Sequence, residues 1–295
     1  MGTAARRRRT MTRWLVTGAG GMLGRDLQAA LAGQQVRALT RAELDITDAA
    51  AVDAAVAGVD VVVNAAAWTD VDGAETAAGQ AAAVNGFAPG LLAAACVRHG
   101  TRLLHLSTDY VFAGSADGDP ASAPAYREDE PINPRTQYGI GKAAGERAVL
   151  SSGGSVVRTA WLYGEHGRNF VRTMLMLERD REFLDVVDDQ WGQPTWTRDL
   201  AARLVALGTA EISPGIFHVS GSGRTTWCGL AREVFAAVGA DPQRVRPTTT
   251  DKFPRPAPRP AFSVLGHDAM LAAGLAPMPP WAESVRNAVP MLQEG

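Results

Sequence analysis

Tyr138 and Lys142 stand four positions apart and can both exchange protons. On a helix this spacing puts the two side chains on one face. An ammonium group beside a phenol stabilises the phenolate and lowers the phenol pKa from about 10 toward neutral. We therefore expect Tyr138 to act as a general acid or base near neutral pH. The same spacing also arises by chance on surface helices, so the pair needs support from other features.

A hydroxyl group at the end of an apolar run gives that support. Leu103, Leu104 and Leu106 form an apolar run within residues 102–107, and Thr108, Asp109 and Tyr110 follow it. A hydroxyl at a strand end can stabilise the charge that develops on a carbonyl oxygen. Thr108, Tyr138 and Lys142 are therefore the candidate catalytic residues.

A glycine-rich turn separates an apolar run from a helical pattern at residues 14–24. A lone glycine motif is weak evidence, but between a strand and a helix its backbone N–H groups and the helix N-terminus can hold a pyrophosphate. The turn therefore predicts dinucleotide binding. The candidate cofactor contacts in it are Thr17, Gly18, Gly20, Gly21, Met22, Leu23 and Gly24.

The end of the second apolar run indicates which dinucleotide binds. An NAD site usually has an acidic residue there, which bonds the adenosine ribose, whereas this sequence offers Arg41. A guanidinium can bond a 2′-phosphate, so NADP(H) is favoured and NAD(H) is the alternative. A solvated loop charge is the competing interpretation of Arg41.

Further cofactor contacts are expected in the next two loops, where Asp45 can face the adenine amino group. Small side chains suit close approach by a cofactor, although tight packing explains them equally well. The candidates are Asp45, Ile46, Ala65, Ala66 and Ala67.

Alternation of short apolar runs with alanine-rich helical patterns predicts the elements that position these residues. Strands are predicted at 14–17, 35–39, 59–64, 102–107 and 155–159, and helices at 22–32, 48–57, 79–99 and 138–151. Strands and helices in alternation indicate right-handed βαβ units. The predicted fold class is α/β, a Rossmann-type doubly wound parallel sheet.

The pattern loosens after residue 160, where helices are predicted at 169–178, 198–207 and 227–238. We expect a disordered basic tail at 1–12 and a dinucleotide-binding domain at 13–160. A smaller mixed α/β substrate-binding region is expected at 161–295, with some segments returning to the first domain. The four prolines between 251 and 260 predict a surface loop.

Composition excludes several classes of protein. Of 295 residues, 46% are hydrophobic and 20% are charged, and the net charge of −2 gives no sign of nucleic-acid binding. The basic run Arg6 to Arg9 is interpreted as a frayed tail or as sequence upstream of a true start at Met11. No signal peptide or membrane span is expected.

Cys96 and Cys228 lie in apolar helical patterns and are predicted to be buried thiols. A cytoplasmic location fits this. The five histidines show no metal-ligand spacing, so no metal site is predicted.

These motifs resemble the extended short-chain dehydrogenase/reductase superfamily, through residues 17–24, 64–66, 107–108 and 138–142. More narrowly, residues 69–75, 107–112, 158–161 and 189–195 are similar to the dTDP-4-dehydrorhamnose reductase family, and the resemblance spans nearly everything from Met11 onward. One residue departs from the family pattern. Trp191 stands where we expect a small or hydroxylated side chain, which predicts an altered substrate pocket.

The resemblance implies the roles of individual residues. Thr108 would polarise a sugar carbonyl, Tyr138 would donate the proton, and Lys142 would hold the nicotinamide ribose. Asp109 and Trp161 would contact the dTDP-linked deoxysugar, although Trp161 is equally well explained as a core residue. A bound Mg²⁺ ion and a homodimer are implied by the resemblance alone. Asn85 is a secondary candidate for support of the lysine or nicotinamide pocket.

Rival functions remain at this stage. A related antibiotic deoxysugar, such as a dTDP-dihydrostreptose precursor, is the alternative to dTDP-4-dehydro-L-rhamnose. A 4,6-dehydratase would need a second acid after Asp109, where this chain has Tyr110. An epimerase with a recycled cofactor stays open. A non-catalytic subunit resembling the regulatory subunit of methionine adenosyltransferase has the same fold and motifs.

Overall fold

The computed structural model describes residues 11–294. Its main feature is a six-stranded parallel sheet, with five strands from the first 160 residues and one strand from later in the chain. The basic run at residues 6–9 lies outside the described residues. The sheet order is β10-β5-β4-β3-β1-β2. Its strands are β1 (Arg13–Thr17), β2 (Gln35–Leu39), β3 (Val61–Asn64), β4 (Arg102–Thr108), β5 (Ser155–Thr159) and β10 (Ile216–His218).

Helices cover both faces of this sheet. They are α1 (Met22–Ala30), α2 (Ala49–Val56), α3 (Val71–Thr76), α4 (Ala78–Ala82), α5 (Ala88–His99), α6 (Gln137–Ser151) and α8 (Thr197–Thr209). One apolar core includes residues of α1 and α8 with Trp14 and Val63. A second core includes residues of α2 and α5 with Val62. The prediction of a doubly wound α/β sheet is therefore confirmed.

Capping explains where two of these helices begin. The carboxylate of Asp48 accepts hydrogen bonds from the backbone N–H groups of Ala50 and Ala51 and starts α2. The hydroxyl of Thr136 accepts one from Gly139 N at 3.0 Å and starts α6. The expected strand at 59–64 is shorter, since it begins at Val61.

The predicted helix at 79–99 is divided. Residues Ala83–Phe87 form a π-helical segment between α4 and α5. The Asn85 side chain in that segment donates a hydrogen bond to Trp68 O and accepts one from Trp68 N, both at 2.9 Å. A π-segment inserts one extra residue into a helix and often marks a functional site. Asn85 thus supports the loop after β3 and does not line the cavity described below.

The run Ala78–His99 is long and apolar enough to cross a membrane by length and composition. In this protein 44% of its most apolar window is buried, and Leu92, Ala95 and Cys96 pack into the second core against the sheet. A core helix has this composition as well, so the run is explained by its packing.

Residues beyond 160 build a smaller mixed region around a third apolar core. Its helices are α7 (Phe170–Asp180), α9 (Trp227–Ala237), α10 (Asp268–Ala272) and α11 (Trp281–Glu294), of which α10 packs into the first core. Its short strands are β6 (Leu162–Tyr163), β7 (Leu184–Val187), β8 (Trp191–Gly192), β9 (Thr195–Trp196), β11 (Thr225–Thr226) and β12 (Val245–Thr248). Although β10 and α8 come late in the chain, both pack with the first half.

Both cysteines, Cys96 and Cys228, are free and buried. This confirms their prediction as buried thiols.

Candidate active site

The sheet reverses its winding direction between β1 and β3. β2 lies on the other side of β1, and β4 follows β3 outward. In open α/β sheets the carboxyl ends of the strands at such a switch point form the ligand crevice. The glycine turn follows β1, Ala65 to Ala67 follow β3, and Thr108 ends β4. The topology therefore collects the predicted motifs at one edge.

The glycine turn fits a diphosphate because its backbone is close to its neighbours. Gly18 has φ +68, and a Cβ on it would lie 2.7 Å from Ala66 N. A Cβ on Gly24 would lie 2.3 Å from Gly18 O. No side chain caps the N-terminus of α1, which begins after Gly21. Its first N–H groups and the helix dipole can therefore face a phosphate.

Thr17 is the one predicted cofactor contact that does not reach the cavity. It is fully buried, and its hydroxyl donates a 2.6 Å hydrogen bond to Asn64 Oδ1. Asn64 Nδ2 lies 2.9 Å from His105 Nδ1, so these side chains join β1, β3 and β4 below the site. Burial lowers the pKa of His105 well below its usual range, which keeps the ring neutral as an acceptor. Thr17 therefore holds the strands in register.

The expected adenosine contacts lie together in the loop after β2. Arg41 is exposed and lines the cavity together with Asp45 and Ile46. Asp45 accepts hydrogen bonds from the Thr47 hydroxyl at 2.7 Å and from Thr47 N at 2.9 Å. These hydrogen bonds and the charge of Arg41 lower the Asp45 pKa. The carboxylate of Asp45 is thus already engaged in a local turn, and Arg41 is an exposed cation at the cavity.

Thr108 and Asp109 form a buried polar pair at the end of β4. The Thr108 hydroxyl donates a 2.9 Å hydrogen bond to Asp109 Oδ1. Burial raises the Asp109 pKa to about 6, although the hydrogen bond from Thr108 opposes the shift. Asp109 Oδ2, Ser107 Oγ and Thr159 Oγ1 are buried without a partner, and their residues line the cavity. Unsatisfied buried polar groups are costly, so this cluster is suited to a polar ligand.

The side chains of Tyr138 and Lys142 line the same cavity as Thr108, but the expected pKa shift of Tyr138 is wrong in direction. Burial raises the Tyr138 pKa to about 12. Lys142 donates a 2.5 Å hydrogen bond to Leu106 O, and burial lowers its pKa to about 8. Burial is the largest cause of the Tyr138 shift; the charge of Asp109 adds to it and a hydrogen bond with Thr108 opposes it. Tyr138 is therefore a protonated phenol at neutral pH and can donate a proton.

Neighbouring groups fix the helix that carries this pair. The Tyr110 ring meets the Tyr138 ring edge-on at 5.7 Å. Glu146, four residues after Lys142, forms a bidentate ion pair with Arg158 of β5 at 2.8 and 2.9 Å. Both side chains of the ion pair are 2% exposed. α6 is thus attached to the sheet below the catalytic residues.

These groups open into a continuous cavity of about 1780 Å³. Pockets for one small ligand usually have roughly 300–1,000 Å³, so this cavity has room for a dinucleotide and a second ligand. Every predicted catalytic, cofactor and substrate contact except Thr17 lines it, and the secondary candidate Asn85 does not. Sequence reasoning missed other lining residues, among them Tyr110, Gln190, Trp227, Arg255, Arg259 and Ser263.

The segment at 251–260 is largely exposed, as expected of a surface loop, and its residues Phe253, Arg255 and Arg259 also line the cavity. Arg259 forms a 2.7 Å ion pair with Asp72 at the start of α3 and so ties this loop to the sheet half. In the sequence, Arg255 and Arg259 lie next to prolines, and these two cations were the available sign that the segment contributes to a binding site. The pairing partner lies 187 residues away and could not be inferred.

Trp161 lines the cavity, but Trp191 does not, which corrects its expected position in the substrate pocket. The Trp191 backbone pairs with Ala261 and Ser263, and its side chain packs beside the core around Phe112 and Phe262. Trp191 is connected to the pocket through the adjacent residue Gly192, which packs against the Trp161 indole.

Within residues 11–294, no group of three or more His, Cys, Asp or Glu side chains is arranged to hold a metal ion. The Mg²⁺ and the homodimer implied by the resemblance stay predictions.

Comparison with known proteins adds independent information. The family model described as RmlD substrate binding domain matches residues 12–294. The dTDP-4-dehydrorhamnose reductase of Streptomyces griseus is 54% identical over 291 residues, which cover 95% of this chain and 94% of that protein. The dTDP-4-keto-6-deoxy-D-glucose reductase of Streptomyces niveus is 50% identical and covers 95% of this chain and 97% of its own.

A solved structure is similar over almost the whole chain. The dTDP-4-dehydrorhamnose reductase of Bacillus anthracis, crystallised in complex with NADP, has a TM-score of 0.88 at 33% identity. The match covers 95% of this chain and 99% of that one.

Proposed function

The chain belongs to the dTDP-4-dehydrorhamnose reductase family, and from this membership we propose that it reduces the 4-keto group of a dTDP-linked 6-deoxysugar with NADPH. The carrying observation is that Thr108, Tyr138 and Lys142 line the same cavity as the glycine turn. The preferred substrate is dTDP-4-dehydro-L-rhamnose and the product is dTDP-L-rhamnose.

NADP(H) fits the residues present. The glycine turn and the uncapped α1 N-terminus can hold the diphosphate, and Arg41 can hold the 2′-phosphate. The NADP bound to the Bacillus anthracis relative supports this choice. When bound, the cofactor supplies the hydride, and the chemistry left to the protein is positioning and proton delivery.

The residues of the chain divide that work. Tyr138 keeps its proton at neutral pH and can give it to the carbonyl oxygen of the substrate. The Thr108 hydroxyl can donate a second hydrogen bond to that oxygen once it turns from Asp109. Lys142, charged below about pH 8, places a positive charge beneath the developing oxyanion. Buried donors directed at one oxygen stabilise the transition state more than they would in water.

Asp109 contributes a carboxyl group to the same wall. The next residue, Tyr110, has a pKa raised above its usual range by burial, so it supplies no second base beside Asp109. This supports reduction over dehydration.

We further propose a cytoplasmic location, since two free buried thiols suit a reducing compartment. A related deoxysugar remains the second candidate substrate, and the name of the Streptomyces niveus relative favours it.

NADPH oxidation by purified protein tests the proposal with two substrates that differ in configuration. They are dTDP-4-dehydro-6-deoxy-L-mannose and dTDP-4-dehydro-6-deoxy-D-glucose, and NMR of the product gives its stereochemistry. We expect one NADPH consumed per sugar reduced and a higher kcat/KM with the L-mannose substrate. Preference for the D-glucose substrate would move the assignment to the related deoxysugar. Absence of NADPH oxidation with both, together with copurification of a synthetase, would favour a regulatory subunit.

A further inference from the structure

Trp161 has a backbone conformation that tryptophan rarely adopts. Its φ is +45, and among residues 11–294 it is the only residue other than glycine with a positive φ. Side chains disfavour this region because Cβ approaches the following carbonyl. Strained residues persist only where their surroundings impose them, and they cluster at ligand sites.

Two neighbours impose this conformation on Trp161. The Trp227 indole stacks on it with ring centroids 3.6 Å apart and planes 7° apart. A Cβ on Gly192 would lie 2.4 Å from the Trp161 ring, so only glycine leaves room for the indole there.

Trp227 is itself fixed. Its indole N–H donates a 3.1 Å hydrogen bond to Gln190 Oε1, and the Phe170 ring packs on it at 4.7 Å. Trp227 begins α9, whose N-cap Thr226 accepts a hydrogen bond from Gly229 N. The stack is therefore anchored to the mixed C-terminal region.

The stack lies next to the catalytic residues. Thr159 pairs in register with Thr108 in the sheet, and Trp161 follows two residues later. Trp161 and Trp227 both line the cavity. The strained indole thus forms a wall between the catalytic hydroxyl and the C-terminal region.

We propose that Trp227 is a positioning residue that holds Trp161 as a preformed wall of the sugar subsite. The inference rests on the proposed function for the identity of the ligand. A wall that is already ordered costs less conformational entropy when the sugar binds. Loss of the stack would release Trp161 from its strained conformation and weaken sugar binding, while the glycine turn and NADPH binding stay intact.

Four variants test this inference: Trp227→Leu, Trp227→Phe, Trp161→Leu and, as the matched control, Trp281→Leu. Trp281 packs against the same third core but does not line the cavity. Coupling between stacked indoles gives a paired positive and negative band in the far-UV circular dichroism spectrum. We expect this band in the wild type and in Trp281→Leu, and its loss in Trp227→Leu and Trp161→Leu.

In steady-state kinetics we expect Trp227→Leu to raise KM for the sugar nucleotide by between about ten- and a hundredfold, the scale of a displaced positioning group. KM for NADPH should stay within about twofold, a change too small to indicate a lost interaction. Trp227→Phe, which keeps a flat ring, should recover part of the sugar KM. An unchanged sugar KM after loss of the band would overturn the proposal, as would an equal effect of Trp281→Leu or the absence of the band in wild type.

Calorimetric titration with dTDP-L-rhamnose separates this outcome from failure of the proposed function. If the wild type binds dTDP-L-rhamnose but oxidises no NADPH with either keto-sugar substrate, the proposed reaction is wrong, and weaker binding by Trp227→Leu than by Trp281→Leu still supports the positioning role of Trp227. Equal binding by the two variants, or no binding by the wild type, contradicts it.

Discussion

At the end of β4, two adjacent side chains have opposite requirements. Thr108 needs a free hydroxyl to bond a substrate oxygen, and Asp109 needs a hydrogen bond to offset its burial at 3% exposure. One 2.9 Å hydrogen bond now serves Asp109. A ligand that takes the Thr108 hydroxyl must compensate Asp109, and sugar hydroxyls can do so. We therefore expect these two residues to favour a polyhydroxylated substrate.

Substitution of Tyr138 tests the proton donor. Tyr138→Phe removes the phenol hydroxyl and keeps the ring that packs against Tyr110. A positioned acid contributes roughly 10²–10⁴ in rate, so kcat should fall by about that factor while the fold and NADPH affinity persist. Stopped-flow NADPH oxidation measures kcat, and fluorescence titration with the cofactor measures NADPH affinity. A variant retaining near-normal kcat would remove Tyr138 from the mechanism.

Arg41 determines cofactor preference if it bonds the 2′-phosphate. Arg41→Ala should lower kcat/KM with NADPH by about ten- to a hundredfold, in line with loss of a charge-assisted hydrogen bond, and leave NADH nearly unaffected. The ratio of the two efficiencies is the measurement. An unchanged ratio would assign Arg41 to the solvated surface.

Burial of the ionised Asp109 carboxylate should lower the free energy of unfolding at neutral pH. Its pKa is about 6 in the folded protein and 3.8 in its ordinary state, so the folded state binds more protons between these pH values. Stability therefore falls as pH rises from about 4 to about 6 and stays lower above. Asp109→Asn lacks this ionisation and should be more stable than wild type at pH 7, by an amount on the order of 1–3 kcal/mol, while losing activity.

Thermal unfolding at several pH values checks the Asp109 prediction. The two proteins should differ most above pH 6 and converge below about pH 4, where Asp109 becomes protonated in the unfolded state as well as in the folded state. A difference that is constant across the range would mean that the variant changes packing, not ionisation.

At the scale of elements, α6 brings the chemistry together. Tyr138, Lys142 and Glu146 recur at intervals of four residues, so the face that presents the catalytic pair to the cavity also carries its anchor to β5. Gly145 lets this helix approach the π-helical segment, since a Cβ there would lie 2.3 Å from Asn85 O. Positioning of the catalytic pair therefore depends on packing below the site.

Breaking the Glu146–Arg158 pair tests that anchor. Arg158→Met leaves a buried carboxylate without its partner, which typically costs about 3–5 kcal/mol of unfolding free energy. The control is Arg127→Met, which removes an exposed partner of Asp129 and should leave stability unchanged. Chemical denaturation of both variants is the measurement. Equal stability of the two would show that the buried pair does not hold α6.

Local pattern was sufficient for several elements of the first half. Apolar runs and glycine placement predicted β1, β2, β5 and the start of α1 closely, and β1 and β5 are buried as strands covered on both faces are. The π-helical segment was missed, since it depends on contacts of Asn85 with Trp68 that lie 17 residues apart. Periodicity cannot detect such a contact.

At the scale of the whole molecule, the cavity lies between the sheet half and the mixed C-terminal region. The cofactor residues follow β1 to β3, and the aromatic and cationic wall comes from residues beyond 160. Strands of two residues, such as β8 and β11, have too little sequence pattern to predict. Arg259 reaches the site only through its pairing with Asp72. Of this wall the sequence predicted only Trp161, whereas it predicted all three of Thr108, Tyr138 and Lys142, which line the same cavity.

The central claim is hydride transfer from NADPH to the keto carbon of a dTDP-linked 6-deoxysugar. Incubation of the protein with NADPH deuterated at the transferable position, followed by NMR of the sugar product, tests it most directly. The account predicts one deuterium at C4 of the product for each NADPH consumed. A product without deuterium at C4, or one formed without net NADPH consumption, would contradict it and indicate an epimerase that recycles its cofactor.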